Sequence, residues 1–189
     1  MYNCIKKKKY MKFKLVVCVN EKNVIGRNGN LLFHIKNDLK NFKRMTTDNV
    51  VIMGRKTFES LPNQKPLPNR INIIITSDFD YSVDENENVY IVHSIPEVLD
   101  LCEAFFSDKE LFVIGGSTIY NQFIEQGLID EAMVTRVNDD SLEDGDATIE
   151  TPWSDLNAWK VYYESYTQRQ RTDGEDITYK FIIYKKKEI

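Results

Sequence analysis

One acidic residue, Asp38, stands among apolar residues in a segment with helical periodicity. The apolar positions of this segment are Ile35, Leu39, Phe42 and Met45. Asp38 lies three positions after Ile35 and four before Phe42, so a helix places it on the apolar face rather than opposite it. A carboxylate on such a face is costly unless it has a partner. Asp38 is therefore either a first-turn acid that the helix dipole favours and that reaches back to water, or a buried carboxylate that hydrogen-bonds or protonates a ligand.

Three apolar segments each end in residues that suit phosphate binding. Residues 54–57 read Gly-Arg-Lys-Thr, residues 115–118 read Gly-Gly-Ser-Thr, and Thr76 and Ser77 supply two hydroxyls. Glycine allows close backbone approach, and backbone N–H groups, cations and hydroxyls bind anions. Each segment alone is also compatible with an ordinary turn, and neither G-x-G-x-x-G nor G-x-x-x-x-G-K-[ST] occurs in the sequence. Three such ends side by side would suit an extended ligand with several phosphates.

The histidines and cysteines indicate no nucleophile and no metal site. His34 and His93 have no visible partner and are interpreted as satisfied or solvent-facing, and Cys18 in an apolar strand is interpreted as a small core residue. The chain has 3 cysteines, an odd number without paired spacing, which indicates neither a disulfide framework nor a zinc site. We therefore expect no metal and a cytoplasmic protein.

The elements that must position these residues alternate between strands and helices. The hydrophobic pattern predicts strands over 15–19, 50–53, 71–75, 89–92, 111–114 and 132–137, and helices over 35–45, 56–60, 97–106 and 119–124. Residues 20–34 read as a long loop, which in a compact domain is usually functional. Strands over 159–166 and 177–184 flank a polar turn with Asp173 and Gly174, which predicts a hairpin. The predicted fold is α/β: a mostly parallel central sheet of about eight strands with flanking helices and a C-terminal antiparallel hairpin.

Length and composition limit the class of protein. A chain of 189 residues with 42% hydrophobic residues predicts one globular domain, over residues 12–189, after a basic N-terminal extension over residues 1–11 that need not be ordered. The formal net charge of −4 argues against a nucleic-acid binder. No apolar run is long enough to span a membrane, and the basic start lacks the apolar core of a signal peptide. We expect neither nucleic acid nor a membrane as a partner.

Several short motifs occur in an order and spacing typical of a known family. They are 23–26 (NVIG), 37–43 (NDLKNFK), 51–62 (VIMGRKTFESLP), 66–70 (PLPNR), 113–116 (VIGG) with Tyr120, and 145–146 (GD). With these motifs the chain resembles dihydrofolate reductase over residues 13–184. The resemblance implies a dihydrofolate reductase-like fold and NADPH-dependent reduction of 7,8-dihydrofolate to tetrahydrofolate, a step of one-carbon metabolism. A hydride passes from the nicotinamide to the pterin, and the adjacent ring nitrogen takes a proton.

The resemblance also implies roles on the substrate side. Asp38 would bind the pterin amino edge and favour protonation, with the hydroxyl of Thr135 beside it, and Arg70 would hold the substrate's glutamate carboxylate. Phe33 stands where the family usually has a tryptophan that orders a water near the pterin through its ring N–H. Phe33 has no such donor, so proton delivery is expected to differ. The residues implied to line the substrate pocket are Val16, Val17, Leu39, Phe42, Lys43, Leu61, Leu67, Ile114 and Tyr120.

On the cofactor side, the resemblance implies NADPH bound along the strand ends. Arg55 and Ser77 would lie near its 2′-phosphate, a cis peptide is expected between Gly115 and Gly116, and residues 20–34 resemble a mobile lid over the nicotinamide. Thr118 stands where many members have an arginine, which leaves the preference for NADPH over NADH open. The residues implied to bind the cofactor are Val17, Cys18, Ile25, Gly26, Gly29, Asn30, Leu31, Gly54, Arg55, Lys56, Thr57, Thr76, Ser77, Ile114, Gly115, Gly116, Ser117, Thr118, Ile119 and Tyr120.

Two other functions stay open beside the reductase. One is a catalytically silent nucleotide- or folate-binding protein, which the residues Leu32 and Phe33 in place of Pro-Trp favour slightly and the intact Asp38 opposes. The other is a same-fold pyrimidine reductase of flavin synthesis, which should lack the pairing of Asp38 with Arg70. As partners we expect dihydrofolate, NADPH and antifolate inhibitors, and we expect a monomer.

Overall fold

Strands and helices alternate along the residues that the structure, a computed structural model, describes: 11–84, 87–139, 145–172 and 175–188. The strands are β1 (Phe13–Val19), β2 (Val24–Arg27), β3 (Asn30–Leu31), β4 (Val50–Gly54), β5 (Ile71–Ile75), β6 (Val89–Val92), β7 (Leu111–Gly115), β8 (Ile129–Val137), β9 (Ala147–Thr148), β10 (Trp159–Glu164), β11 (Gln168–Thr172) and β12 (Glu175–Lys186). The helices are α1 (Lys36–Thr46), α2 (Arg55–Glu59), α3 (Ile95–Phe105) and α4 (Ser117–Glu125), with short 3-10 turns at Pro62–Gln64 and Pro152–Ser154.

One large sheet organises the fold, in the order β10-β12-β8-β1-β7-β4-β5-β6. The neighbours from β8 to β6 are all parallel, and β12 and β10 continue the sheet antiparallel. The first four residues of β4 are fully buried, as a strand covered on both faces requires. The predicted mostly parallel sheet of about eight strands is confirmed.

The C-terminal part differs from a two-stranded hairpin. The predicted pairing is present, since β10 runs antiparallel to the second half of β12. The segment between them forms a further strand, β11, which pairs with the first half of β12, from Gln168 opposite Tyr179. The prediction of two strands was therefore incomplete, because β11 is polar and carries no apolar alternation. The predicted turn at Asp173 and Gly174 lies outside the described residues.

The segment 20–34 is more ordered than the predicted loop. It contains β2 and β3, which form a small sheet in the order β3-β2-β9. The pairs are Gly26 with Leu31 and Val24 with Thr148. The strands β2 and β3 are short and contain Gly26 and Asn30, so they carry no continuous apolar run from which they could be predicted. The second sheet ties residues 24–31 to residues 147–148, far along the chain.

Helices cover both faces of the large sheet. Alternate residues of β4 point to opposite faces: Val50 and Ile52 belong to the apolar cluster that includes residues of α3 and α4, whereas Val51 and Met53 belong to the cluster with Phe58 of α2. Met11 packs against the first cluster, and the rest of the basic extension lies outside the described residues. Among those residues, no helix is long and apolar enough to cross a bilayer.

Candidate active site

The side chain of Asp38 is held between a helix and a strand. Asp38 lies in the first turn of α1, and its Oδ1 accepts a hydrogen bond of 2.5 Å from Thr135 Oγ1 on β8. Thr135 is buried. Burial raises the pKa of Asp38 above its usual value, and the hydrogen bond from Thr135 opposes this shift. Asp38 is therefore a partnered, partly buried carboxylate, rather than a first-turn acid that reaches back to water.

The apolar face of α1 borders the site as well as the core. Leu39 is 43% exposed, and Phe42 and Met45 are only half-buried. Ile35 is buried but precedes the helix as its N-cap residue. Periodicity alone placed this face against the core, whereas the resemblance placed Leu39 in the substrate pocket. The exposure of Leu39, one residue after Asp38, fits the second expectation.

Phe33 and Cys18 line the same region. Phe33 is buried in a cluster with Ile35, Val137 and Tyr179, and Cys18 packs against that cluster. Cys18 lies opposite Thr135 in the pairing of β1 with β8. Burial and the charge of Asp38 raise the pKa of the Cys18 thiol well above its usual value. The thiol is therefore neutral at physiological pH and is not an activated nucleophile.

Tyr120 connects the helix α4 to the end of β1. Its hydroxyl donates a 2.6 Å hydrogen bond to the carbonyl oxygen of Val16. Tyr120 is buried, and burial, together with the charge of Asp38, raises its pKa. Val17 beside it is buried, and Val16 is half-buried. The tyrosine stays neutral and fixes the backbone where the resemblance places the junction of pterin and nicotinamide.

Arg70 is a buried cation on the other side of α1. Its Nε donates to the carbonyl oxygen of Pro68 at 2.9 Å, and its Nη1 donates to Thr46 Oγ1 at 3.2 Å. The guanidinium carbon lies 6.0 Å from the centre of the Phe42 ring. Burial lowers the pKa of Arg70 from its usual value, which still leaves an arginine charged. Two contacts fix the plane of the guanidinium, and its Nη2 group carries further donors.

The three strand ends that suit phosphate are neighbours in the sheet. Strands β7, β4 and β5 are adjacent, and Met53 of β4 pairs with Gly115 while Gly54 pairs with Ile75. The structure therefore brings the three ends side by side, the arrangement that would suit an extended ligand with several phosphates. The peptide between Gly115 and Gly116 is cis, as expected.

Two glycines keep this edge open. A Cβ on Gly116 would lie 3.2 Å from Thr57 Oγ1, and a Cβ on Gly54 would lie 3.0 Å from Ile119 Cγ1. Both distances are tighter than an ordinary contact, so the starts of α2 and α4 approach each other closely. Backbone N–H groups at two helix starts thus lie beside a hydroxyl, which is a suitable cradle for the phosphates of a dinucleotide.

The polar side chains of this edge differ in how firmly they are held. Arg55 Nη1 bonds Glu59 Oε1 at 3.3 Å, and its guanidinium lies 5.7 Å from the centre of the Tyr81 ring. Thr76 is buried, and its Oγ1 accepts the backbone N–H of Asp78. Lys56, Ser77 and Thr118 are exposed, as is Lys43 on α1. The predicted site residues that are half-buried include Leu61, Leu67, Ile114 and Ser117.

The lid region carries the remaining predicted cofactor residues. Gly26 is buried and Ile25 half-buried on β2, whereas Gly29, Asn30 and Leu31 are exposed. The hairpin is anchored from elsewhere in the chain, because Asp146 Oδ2 accepts the backbone N–H of Asn28 at 2.8 Å.

Asn20 is a structural residue that the sequence did not reveal. It is fully buried, and its Oδ1 accepts the backbone N–H groups of Lys22 and Val24, which shapes the start of the lid. An asparagine directly after an apolar strand is a weak signal of such a turn. The stacking of the Phe79 ring on the His93 ring was also not predicted. No cluster of three or more potential metal ligands occurs among the residues that the structure describes.

Comparison with known proteins agrees with this geometry. Residues 12–186 match the family model described as dihydrofolate reductase. The chain is 34% identical over 172 residues to the dihydrofolate reductase of Bacillus subtilis, covering 91% of this chain and 93% of that protein. It is 32% identical over 183 residues to dihydrofolate reductase HdrB of Haloferax volcanii, covering 94% and 85%. Among solved structures, dihydrofolate reductase from Enterococcus faecalis complexed with NADP(H) and RAB-propyl superposes with a TM-score of 0.72 at 29% identity, covering 94% of this chain and 97% of that one.

Fold and comparisons define an NADPH-dependent oxidoreductase of the α/β class. Within that class, the chain belongs to the dihydrofolate reductase family.

Proposed function

We propose that this chain reduces 7,8-dihydrofolate to 5,6,7,8-tetrahydrofolate with NADPH, and that Asp38 is the carboxylate that binds the pterin and favours its protonation. The observation that carries this proposal is the partly buried Asp38, bonded to Thr135 and next to open space at Leu39. NADPH supplies the hydride. The protein supplies binding, orientation and the proton-favouring carboxylate.

Asp38 has the properties that this role requires. A carboxylate accepts hydrogen bonds with both oxygens, and Thr135 occupies only Oδ1. Oδ2 is therefore available to the amino edge of a pterin. The raised pKa of Asp38 brings it closer to neutral pH, where a group that takes part in proton transfer is most effective. Its negative charge also favours a protonated pterin ring over a neutral one.

Arg70 suits the other end of the substrate. Its contacts with Pro68 and Thr46 hold the guanidinium in one plane. A fixed guanidinium can bind a carboxylate through two parallel hydrogen bonds, which a lysine cannot do. The glutamate carboxylate of dihydrofolate is such a group. The ring of Phe42, near Arg70 and on the same helix as Asp38, supplies an apolar wall between them.

The strand edge fits NADPH. The starts of α2 and α4 provide backbone N–H groups for the pyrophosphate, and Arg55 with Ser77 lies where a 2′-phosphate would extend. The lid of β2 and β3 would exclude water from the nicotinamide end. We also propose that the protein is a monomer, that it is cytoplasmic and that antifolates inhibit it.

The decisive experiment follows the absorbance of NADPH with purified protein. We expect oxidation only after dihydrofolate is added, and a parallel series with NADH measures cofactor preference. A protein that binds both ligands without turnover would instead be the silent binding protein. Turnover with a ribosylaminopyrimidine but not with dihydrofolate would identify the reductase of flavin synthesis.

A further inference from the structure

Helix α1, which carries Asp38, begins at a residue that cannot cap it. The N-cap residue is Ile35, and its side chain makes no capping hydrogen bond. The first backbone N–H groups of a helix have no partner within the helix, and an aliphatic N-cap residue cannot supply one. Asp38 lies three positions after Ile35, in the turn where these N–H groups occur. The start of α1 therefore depends on bonds from other parts of the chain.

The side chain of Gln170 on β11 supplies such a bond. Its Oε1 accepts the backbone N–H of Lys36, the first residue of α1, at 2.8 Å. Its Nε2 donates to the carbonyl oxygen of His34 at 2.8 Å. A side-chain amide can accept and donate at once, so Gln170 bridges the two residues on either side of Ile35. The helix is thus capped by a residue 134 positions after its first residue.

A second glutamine of β11 contacts the same helix start. Alternate residues of a strand point to the same face, so Gln168 lies on the face of Gln170. Gln168 Oε1 accepts hydrogen bonds from the Tyr179 hydroxyl at 3.4 Å and from Asn37 Nδ2 at 3.5 Å. Asn37 Nδ2 also donates to the Tyr179 hydroxyl at 3.2 Å, and Tyr179 is 1% exposed. The two glutamines therefore join the residues directly before Asp38 to β11 and to the core.

We propose that Gln170 caps α1 from β11 and thereby positions the carboxylate of Asp38 against Thr135. The inference rests on the proposed function, because it takes Asp38 as the carboxylate that acts on the pterin. The hydrogen bond between Thr135 and Asp38 joins β8 to the first turn of α1. That turn must stay formed for the two side chains to meet. Gln170 is a positioning residue, since it acts on the reaction through Asp38.

Opening of the first turn would change the surroundings of Asp38. Burial is the largest cause of its raised pKa, and the hydrogen bond from Thr135 opposes it. An open turn exposes the carboxylate to water and returns its pKa toward the lower, ordinary value. The ionisable groups of Cys18 on β1 and Tyr120 on α4 also interact with Asp38, and both stay neutral. Loss of the cap should therefore lower the pKa of Asp38, whereas loss of the Thr135 donor should raise it.

The test removes both bonds of the cap with little change in side-chain length, by Gln170→Met in the full-length protein. Hydrogen exchange is measured at the amide of Leu39, which donates to the carbonyl oxygen of Ile35 at 3.0 Å within the first turn. We expect exchange to become about threefold to tenfold faster, the usual size for one hydrogen bond. The kcat for dihydrofolate at pH 7 should fall by a similar factor, and its pH profile should move to lower pH. The KM for NADPH should stay within about twofold.

Two further variants make the result specific. Gln170→Glu keeps an acceptor for the N–H of Lys36, and a negative charge at a helix N-terminus is favourable. Exchange and turnover in this variant should stay within about twofold of the parent. Arg171→Met is the matched control, because Arg171 is exposed and, as the next residue of β11, points to the opposite face. It should change neither measurement.

Three results would overturn the inference. They are unchanged exchange at Leu39 in Gln170→Met, a Gln170→Glu variant as impaired as Gln170→Met, and a fall in turnover without a shift of the pH profile. The last result would indicate a loss of structure that leaves the surroundings of Asp38 as they were. Hydrogen exchange needs no turnover, so a parent protein that fails to reduce dihydrofolate would contradict the proposed function, while the exchange data still decide whether Gln170 caps α1.

Discussion

The hydroxyl of Thr135 donates its hydrogen bond to the carboxylate of Asp38 across 97 positions of the sequence. The bond joins the end of β8 to the first turn of α1. It opposes the desolvation that raises the pKa of Asp38, so the two residues together decide how acidic the site is. The relationship is functional as well as structural if Asp38 acts on the pterin.

Replacing Thr135 with valine should move the pH dependence of catalysis. Valine keeps the shape but removes the donor, so the pKa of Asp38 rises further, because the hydrogen bond lowers it. We expect the part of the pH profile of kcat that depends on the ionisation of Asp38 to move to higher pH. The free energy of unfolding should fall by about 1.5–3 kcal/mol, the usual loss for a hydrogen bond to a charged group. The exposed Thr167→Val is the control and should leave the profile in place.

The substitution Asp38→Asn should lower activity and raise stability at neutral pH. A carboxyl whose pKa is raised by folding binds protons more tightly in the folded state, so the folded state loses stability as pH rises through the unfolded-state and folded-state pKa values. Asparagine lacks this penalty. The variant should therefore unfold at the same temperature as the parent near pH 3, below the usual pKa of an aspartate, and at a higher temperature at pH 7, measured by calorimetry.

The same variant should lose most activity near neutral pH, where external protons are scarce. We expect turnover to fall roughly 100-fold at pH 7 and less at pH 5, within the usual range for removal of an acid–base group. NADPH binding should be largely retained, which fluorescence titration would measure. An unchanged rate at pH 7 would remove Asp38 from the mechanism.

Sequence patterns predicted the large sheet well because its central strands are buried on both faces. Residues 71–75 were predicted with the bounds that the structure has, since a buried apolar run defines them. The half-buried edge strand over 89–92 was also predicted with its bounds, because it too is an apolar run. The strand β11 reads Gln-Arg-Gln-Arg-Thr and has no such run. It exists because β12 is long enough to pair with two strands in succession. Pairing of this kind depends on the partner strand and leaves no local pattern.

The candidate site could be predicted from sequence patterns less completely than the large sheet. The position of Asp38 on an apolar face was visible, but its partner Thr135 followed only from the resemblance, because nothing local relates residues 38 and 135. The same holds for the stack of Phe79 on His93, which depends on two strand ends meeting. Periodicity also could not distinguish a helix face that packs on a core from one that borders a cleft, as Leu39 shows.

Arg70 should matter for substrate and not for cofactor. Arg70→Leu removes the donors proposed to bind the glutamate carboxylate, so Kd for dihydrofolate should rise roughly 30-fold to 300-fold, typical for loss of a paired charge at a binding site. The Kd for NADPH should change little. A pteridine substrate without the glutamate is the matched control, because its KM should be the same in both proteins. Equal weakening of dihydrofolate and NADPH would indicate that the variant merely loses the contacts with Pro68 and Thr46.

Gly145 should control the anchoring of the lid. A Cβ at this position would lie 1.9 Å from Val24 Cγ1 and 3.2 Å from the carbonyl oxygen of Gly26, so Gly145→Ala must displace β2. Displacement weakens the neighbouring bond from the backbone N–H of Asn28 to Asp146. We expect faster amide hydrogen exchange over residues 24–28, a loss of roughly 1–3 kcal/mol in stability, and slower hydride transfer.

Gly29→Ala separates this steric effect from backbone strain. Gly29 has φ of +76°, which disfavours alanine by about 1 kcal/mol, but nothing lies within 4 Å of its Cβ position. The variant should therefore lose some stability while the pairing of β2 with β9 and the exchange of the Val24 amide stay unchanged. If both variants accelerate exchange equally, strain in the hairpin rather than the contact of Gly145 with Val24 governs the lid. If only Gly145→Ala does so, close packing between two distant segments holds the lid over the site.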